Sequence, residues 1–248
     1  MHKKLKEFND EKKIRIKKNQ VIKKFQRASS NFLLESIKQK YSYNFTWMGV
    51  PIIQIPQDMY QIQEIIWDVK PDLIIETGIA HGGSLIFNAS MLAILNSFEQ
   101  KKRKVIGIDI DFRKHNKDIL NKHFLKKYIQ TIDGSSIDTK IFKKIKKISE
   151  KFKKVLVILD SNHTHEHVFE ELNLYSQIVS KNSYCIVFDT IIHDMPNDFY
   201  PDRDWDKKNN PMTAVNKFLN KNKKFEIDPE INNKLMITMA KNGYLRKK

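Results

Sequence analysis

The chain has 248 residues, enough for one large domain with a buried core plus appendages. Its formal net charge is +16, but the lysines alternate with apolar residues and no RNP, zinc-finger or helix-turn-helix signature accompanies them, which argues against a nucleic-acid partner. The single Cys185 rules out an internal disulfide, no apolar run reaches the roughly 18 residues of a bilayer span, and Met1-His2-Lys3-Lys4-Leu5 lacks the apolar core of a signal peptide, so a cytoplasmic protein without a transmembrane segment is expected.

Residues 1–42 read as a basic helical N-terminal extension, with one or two helices over 3–40 lying outside the main fold, and residues 43–248 as the main domain. The aromatic segment Tyr43-Asn44-Phe45-Thr46-Trp47-Met48-Gly49-Val50-Pro51 turns at its Gly and Pro. Asp58 is placed to cap a helix running to about Val69, and Pro71 ends it. Strands and helices then alternate: strand 73–76, helix 84–98, strand 104–109, helix 115–126, strand 128–132, helix 138–150, strand 154–160, helix 165–180 and strand 184–189. The polar stretch 191–210 is too long for a plain connection and is a lid or substrate-loop candidate. A helix at 212–220 and strands at 225–228 and 234–238 complete the layout. The alternation predicts an α/β fold, Rossmann-like, with a mostly parallel sheet covered by helices on both faces.

Glycine is scarce, yet three of the seven fall within Glu76-Thr77-Gly78-Ile79-Ala80-His81-Gly82-Gly83-Ser84. Leu73-Ile74-Ile75 precedes this loop and a helical run follows, an order that places a ligand at the helix N-terminus beyond the strand's carboxyl end. The loop lacks the lysine of a P-loop and the second glycine of the dinucleotide fingerprint. Its E-x-G-x-x-x-G pattern resembles instead the first motif of class I S-adenosylmethionine-dependent methyltransferases. The next strand ends in Asp109, at a spacing suited to the hydroxyls of a ribose. Glycines serving only a sharp turn would leave that acid unexplained.

Each core strand ends in or beside an acid: Glu76, Asp109, Asp133, Asp160 and Asp189. Carboxylates at buried strand ends are costly unless paired or bound to something. Asp160 and Asp189 end neighbouring strands and can share a magnesium ion, although either could instead cap the helix that follows. His163-Thr164-His165-Glu166-His167 is not the H-E-x-x-H arrangement, and nothing completes a zinc tetrahedron around it. His163, nearest the strand end, is the candidate catalytic base, with Asp160 beside it.

Longer segments carry a more specific resemblance: Trp47-x-Gly49-x-Pro51, Pro71 through Gly78, Asp160-Ser161-Asn162-His163 through His167-Val168, Phe188-Asp189-Thr190, Pro211 through Leu219, and Gly243-Tyr244-Leu245. Together they resemble the family named after cephalosporin hydroxylase, which includes rhamnosyl O-methyltransferases and is similar to macrolide-sugar O-methyltransferases. The resemblance covers roughly residues 43–246 and implies a class I methyltransferase fold that uses S-adenosylmethionine, often with magnesium. It implies cofactor contacts from Glu76, Gly78, Ala80, Gly82, Ser84, Asp109, Asp133, Gly134, Ser135 and Ser136, and metal contacts from Asp160 and Asp189. Phe188 stands where the family carries a Glu and Asn162 where an Asp is usual, and both changes remove charge from the metal site.

The implied reaction is methyl transfer to a hydroxyl of a small-molecule or glycan acceptor, nucleotide- or lipid-linked forms included. Trp47, Tyr43 and the 191–210 loop are candidate acceptor walls. An iron and 2-oxoglutarate hydroxylase would need a facial triad on an all-β scaffold, which this pattern does not supply. A nucleic-acid methyltransferase and a non-catalytic assembly protein that retains the cofactor fold are the remaining alternatives. The basic N-terminus also suits a homo-oligomer contact.

Overall fold

The computed structural model describes residues 3–248; Met1 and His2 of the expected extension lie outside them. The extension forms two helices, α1 (Lys3–Asn19) and α2 (Lys23–Lys38). Of α1 only Ile16 is buried, while α2 buries Ser29, Leu33 and Ser36. Leu33 joins Ile55, Ile191 and Met195 in a small apolar cluster, and Asn19 Nδ2 donates to the Asn233 carbonyl at 2.9 Å. The two helices lie outside the sheet, docked on the C-terminal part of the chain.

The aromatic segment is a hairpin of β1 (Phe45–Trp47) and β2 (Val50–Ile52). Its two loop residues, Met48 and Gly49, both take positive φ, as a hairpin turn of the mirror-image type requires. Helix α3 (Pro56–Val69) starts two residues before Asp58, because Pro56 presets the first helical φ. Asp58 is therefore not the cap. It is fully buried and accepts hydrogen bonds from the Thr238 hydroxyl, the Met239 amide at 2.7 Å and the Tyr244 hydroxyl at 2.7 Å.

The alternating part follows as β3 (Leu73–Thr77), α4 (Gly83–Phe98), β4 (Lys104–Asp109), α5 (Lys114–Lys122), β5 (Ile129–Asp133), α6 (Thr139–Ser149), β6 (Val155–Leu159), α7 (His165–Tyr175) and β7 (Tyr184–Val187). The helix expected over 115–126 breaks at His123, which is extended, and resumes as the 3-10 turn Phe124–Tyr128. After β7 come the 3-10 turn Thr190–Asp194, α8 (Pro211–Lys221), β8 (Phe225–Ile227), α9 (Pro229–Leu235) and β9 (Tyr244–Lys247). The strand expected at 234–238 is not formed. Pro229 and the Asp228 cap start a helix through Leu235, and the last strand forms only after Gly243. A Cβ on Gly243 would lie 2.1 Å from the Val187 carbonyl, so the close approach of β9 to β7 needs glycine there.

One seven-stranded sheet has the order β5-β4-β3-β6-β7-β9-β8, parallel throughout except for β9, which runs antiparallel to both its neighbours. Alternate residues of β3 feed two apolar layers: Ile74 packs with α3 and α4 residues such as Ile66 and Leu92, while Leu73 and Ile75 pack with Ile145, Leu172 and Val215 of α6, α7 and α8. The strand order reverses between β3 and β6, and a crevice opens beyond their carboxyl ends at that switch point.

Candidate active site

β3 delivers the glycine loop into that crevice. Glu76 is 2% exposed and accepts from the Ser84 hydroxyl and from Asn88 Nδ2, the latter at 2.7 Å. Burial, opposed by those two hydrogen bonds, pushes its carboxyl up to about 7. Glu76 thus staples the strand to the start of α4. Two of the glycines answer to neighbouring backbone: a Cβ on Gly78 would lie 2.0 Å from the Asp160 carbonyl, and one on Gly83 would lie 2.3 Å from that of Pro51. A Cβ on Gly82 would make only an ordinary contact with the Leu120 side chain at 3.7 Å, but its φ is +91°, so its need is conformational.

Asp109, at the end of β4, draws the loop toward itself. Its Oδ2 accepts from the Ile79 amide at 2.7 Å and the Ala80 amide at 3.3 Å, and its Oδ1 from the Asp111 amide at 2.8 Å. Asn116 of α5 donates to the Ala80 carbonyl at 2.9 Å. These elements wall a cleft of about 350 Å³ whose lining includes Gly78, Ala80, Ser84, Asp109, Gln54 and Asp160. The expected 133–136 segment lies beside this cleft and not among its lining residues. Asp133 pairs with Lys117 at 2.7 Å, the Gly134 amide donates to the Asp109 carbonyl at 2.8 Å, the Ser135 carbonyl accepts from the Asp138 amide at 3.1 Å, and Ser136 is buried against His167 at 3.0 Å.

On the β6 side, Asp160, His163 and Asp189 present ligand atoms within 4.8 Å of one another. It is the one such group of acids, histidines or cysteines among the described residues. His163 Nε2 lies 3.3 Å from Asp189 Oδ2, and Gln54 Nε2 donates to Asp160 Oδ2 at 3.0 Å. Asp160 keeps some exposure at the cleft mouth, but its carboxyl is desolvated and faces Asp189, Glu76 and Glu171. Desolvation first and those like charges second hold it well above the usual carboxylate range. Asp189 sits at φ +54°, an unfavourable conformation for a residue with a Cβ, which the surrounding packing maintains.

The three histidines of 163–167 diverge. His165 Nδ1 meets the Thr213 hydroxyl at 2.8 Å, whereas His167 Nε2 lies within reach of Ser136, Ser161 and, at 3.6 Å, the buried Glu171. The Trp205 ring packs edge-on against His163 at 4.8 Å, so the 191–210 loop does reach the site. Trp47 does not wall it: its ring packs edge-on against Phe87 at 4.9 Å and its Nε1 donates to Ser90 at 3.1 Å. Tyr43 is exposed. Gln54 gave no signal in the sequence, because it sits in a loop with no motif. Glu171 was readable, four residues after His167 on one helix face.

The apo structure of CmcI aligns with a TM-score of 0.59 at 18% identity, covering 83% of this chain and 76% of that one. A CmcI structure with Mg and SAM gives a TM-score of 0.56 at 18% identity over 83% and 77%. A glycine loop and strand-end acids at the switch point of a sheet of this order define the class I methyltransferase fold. Residues 39–248 match the family described as Rhamnosyl O-methyltransferase/CmcI, and the chain belongs to it. Rhamnosyl O-methyltransferase of Mycobacterium leprae (strain TN) is 29% identical over 152 residues, 61% of this chain and 62% of that protein. The protein of the same name from Mycobacterium bovis (strain BCG / Pasteur 1173P2) is 26% identical over 225 residues, 87% of this chain and 85% of that one.

Proposed function

We propose that this chain transfers a methyl group from S-adenosylmethionine to a hydroxyl of a sugar acceptor, with residues 43–248 as the transfer unit and a magnesium ion assisting. The observation that carries this reading is the double position of Asp160, which lines the glycine-loop cleft and also belongs to the Asp160–His163–Asp189 cluster. A methyl donor in the cleft and a cation at the cluster would then meet at one carboxylate. Family membership and the curated relatives named for rhamnosyl O-methylation support the sugar-type acceptor.

The residues present fit both groups. Asp109 retains acceptor capacity beyond its three backbone amides for a ribose hydroxyl, and the partnerless Oε1 of Gln54 is a spare acceptor on a cleft-lining side chain. Two neighbouring carboxylates, one of them crowded by further acids, are a donor set short of positive charge, and their oxygens suit a hard cation. S-adenosylmethionine, when bound, supplies an electrophilic methyl group; magnesium, when bound, supplies Lewis acidity that makes a neighbouring hydroxyl more acidic. Asp160 and Asp189 would hold the ion. His163 takes the hydroxyl proton on Nδ1, the ring nitrogen that does not face Asp189, and Asp189, 3.3 Å from Nε2, orients the ring and stabilises the imidazolium that results. Trp205 fixes the imidazole plane and limits water around it.

The test is calorimetric titration with S-adenosylhomocysteine, with and without magnesium, followed by methylation of methyl rhamnoside. We expect micromolar binding, a magnesium-dependent heat that disappears in Asp160→Asn, and turnover that needs the ion. Absence of S-adenosylhomocysteine binding under every condition would overturn the reading.

A further inference from the structure

We propose that the cleft between the N-terminal helices and the C-terminal segment binds a neutral oligosaccharide, namely the part of the acceptor beyond the sugar that is methylated. The link to methylation rests on the function proposed above; the chemistry of the cleft stands by itself. Its volume is about 990 Å³, at the upper end of what single-ligand pockets enclose and far beyond the 350 Å³ of the glycine-loop cleft. One wall is Gln20, Gln26 and Asn31 of the α1–α2 region, and the other is Asn232, Asn233 and Asn242 around α9. Of its 21 lining residues seven are Asn or Gln, whereas the whole chain has 30 such residues among 248. The lining is therefore enriched beyond the general asparagine bias of this sequence.

Some of these amides hold the walls together. Asn19 bridges to the Asn233 carbonyl, Gln26 donates to the carbonyls of Asn19 and Gln20, and Asn232 and Asn242 bond each other. Among the described residues the side chains of Gln20, Asn31 and Asn233 have no hydrogen-bond partner, which leaves paired donors and acceptors at the cleft. Such groups match sugar hydroxyls, each of which both donates and accepts. Leu33, Leu34, Ile191 and Met236 add apolar patches for the C–H faces of sugar rings. Charge contributes little: Asp194 and Lys241 pair with each other, which leaves Lys207 as the one lining lysine outside a salt bridge among the described residues, and none of the described lining residues is an arginine, so a phosphate or nucleotide would find a single cation and no bidentate partner.

The cleft also adjoins the chemistry. The 3-10 turn Thr190–Asp194 starts one residue after Asp189 and supplies Ile191, His193 and Asp194 to the lining. At about 2 Å of rise per residue, His193 lies roughly 8 Å of chain from Asp189, a gap that an oligosaccharide can bridge. The wall from α1 and α2 precedes residue 39, where the family match begins, so the acceptor preference it confers belongs to this chain and not to the matched region.

The experiment uses the full chain and three probes: methyl rhamnoside, a neutral trisaccharide ending in rhamnose, and a sulfated trisaccharide. Affinities are measured by calorimetry, with S-adenosylhomocysteine binding as the control for folding, and each rhamnose-bearing probe is also assayed for methylation. We expect the neutral trisaccharide to bind at least tenfold tighter than the monosaccharide. The Gln20→Leu/Asn31→Leu/Asn233→Leu variant should erase that advantage. Should the triple variant lose S-adenosylhomocysteine binding, Gln20→Leu and Asn31→Leu, both at exposed positions, are read singly in the same way. Equal affinity for both lengths, a preference surviving in the variants, or tighter binding of the sulfated probe overturns the proposal. Methylation without length preference sinks the cleft alone; length-dependent binding without methylation of any probe sinks the transferase reading and leaves the cleft.

Discussion

At the scale of single residues, the site is arranged around the sharing of charge. Asp109 gives its carboxylate to three backbone amides, Glu76 to two side chains of α4, and Asp160 to Gln54 on a side chain otherwise surrounded by acids. In the function proposed above His163, itself a member of the cluster, accepts the proton, and kinetics can separate that role from holding the metal. His163→Gln should lower kcat by about 10²- to 10⁴-fold, the usual worth of a positioned proton acceptor, with KM and the magnesium midpoint nearly unchanged. Steady-state kinetics across a magnesium titration checks this. A large shift of the midpoint with a small loss of kcat would assign His163 to the cation instead.

At the scale of elements, two glycines of the same loop share a left-handed φ, but only Gly78 also has a backbone oxygen where a Cβ would stand. Gly78→Ala forces a Cβ to within 2.0 Å of a backbone oxygen on β6, so we expect loss of more than about 3 kcal/mol or failure to fold. Gly82→Ala meets only the cost of a left-handed φ, about 1–2 kcal/mol. Urea unfolding of both variants tests the contrast, and equal losses would contradict it.

Asp58 makes a second prediction at this scale, because it ties α3 to the segment that leads into β9. Burial first raises its carboxyl from 3.8 to about 6, against hydrogen bonds that act to lower it. A raised acid binds its proton more tightly in the fold. Its contribution is therefore fully present below pH 3.8 and is withdrawn as pH rises through about 6, a loss on the order of 3 kcal/mol. Glu76 acts in the same direction toward about 7. Stability measured from pH 4 to 7 should fall less steeply in Asp58→Asn than in the parent chain, and parallel curves would refute the assignment.

At the scale of the whole molecule, the chain joins a family domain to a basic helical pair that precedes the matched residues. The pair is held by few apolar contacts, with Leu33 the most buried of them at 5% exposure. Leu33→Ala should cost about 2–4 kcal/mol of local docking and speed proteolysis at the turn between α1 and α2. An unchanged cleavage rate would mean that other contacts hold the helices. No helix of the described residues is long and apolar enough to cross a membrane.

The sequence by itself determined the parallel order of the core, because continuous apolar runs such as Leu73-Ile74-Ile75 and Val155–Leu159 read as strands buried on both faces, with helices between them. It also determined the loop and the strand-end acids, since glycine scarcity and chain spacing are local signals. Tertiary structure decided what local signals cannot carry. Pro56 takes the helix start from Asp58, and the carboxylate instead becomes a buried acceptor for three donors from residues 238–244, 180 to 186 positions away along the chain. The final strand formed at Tyr244–Lys247 because only Gly243 permits the approach to β7. Gln54 joined Asp160, Trp205 joined His163, and the amide cleft closed between segments separated by most of the chain. Those contacts depend on packing between distant elements, and no pattern along the chain encodes them.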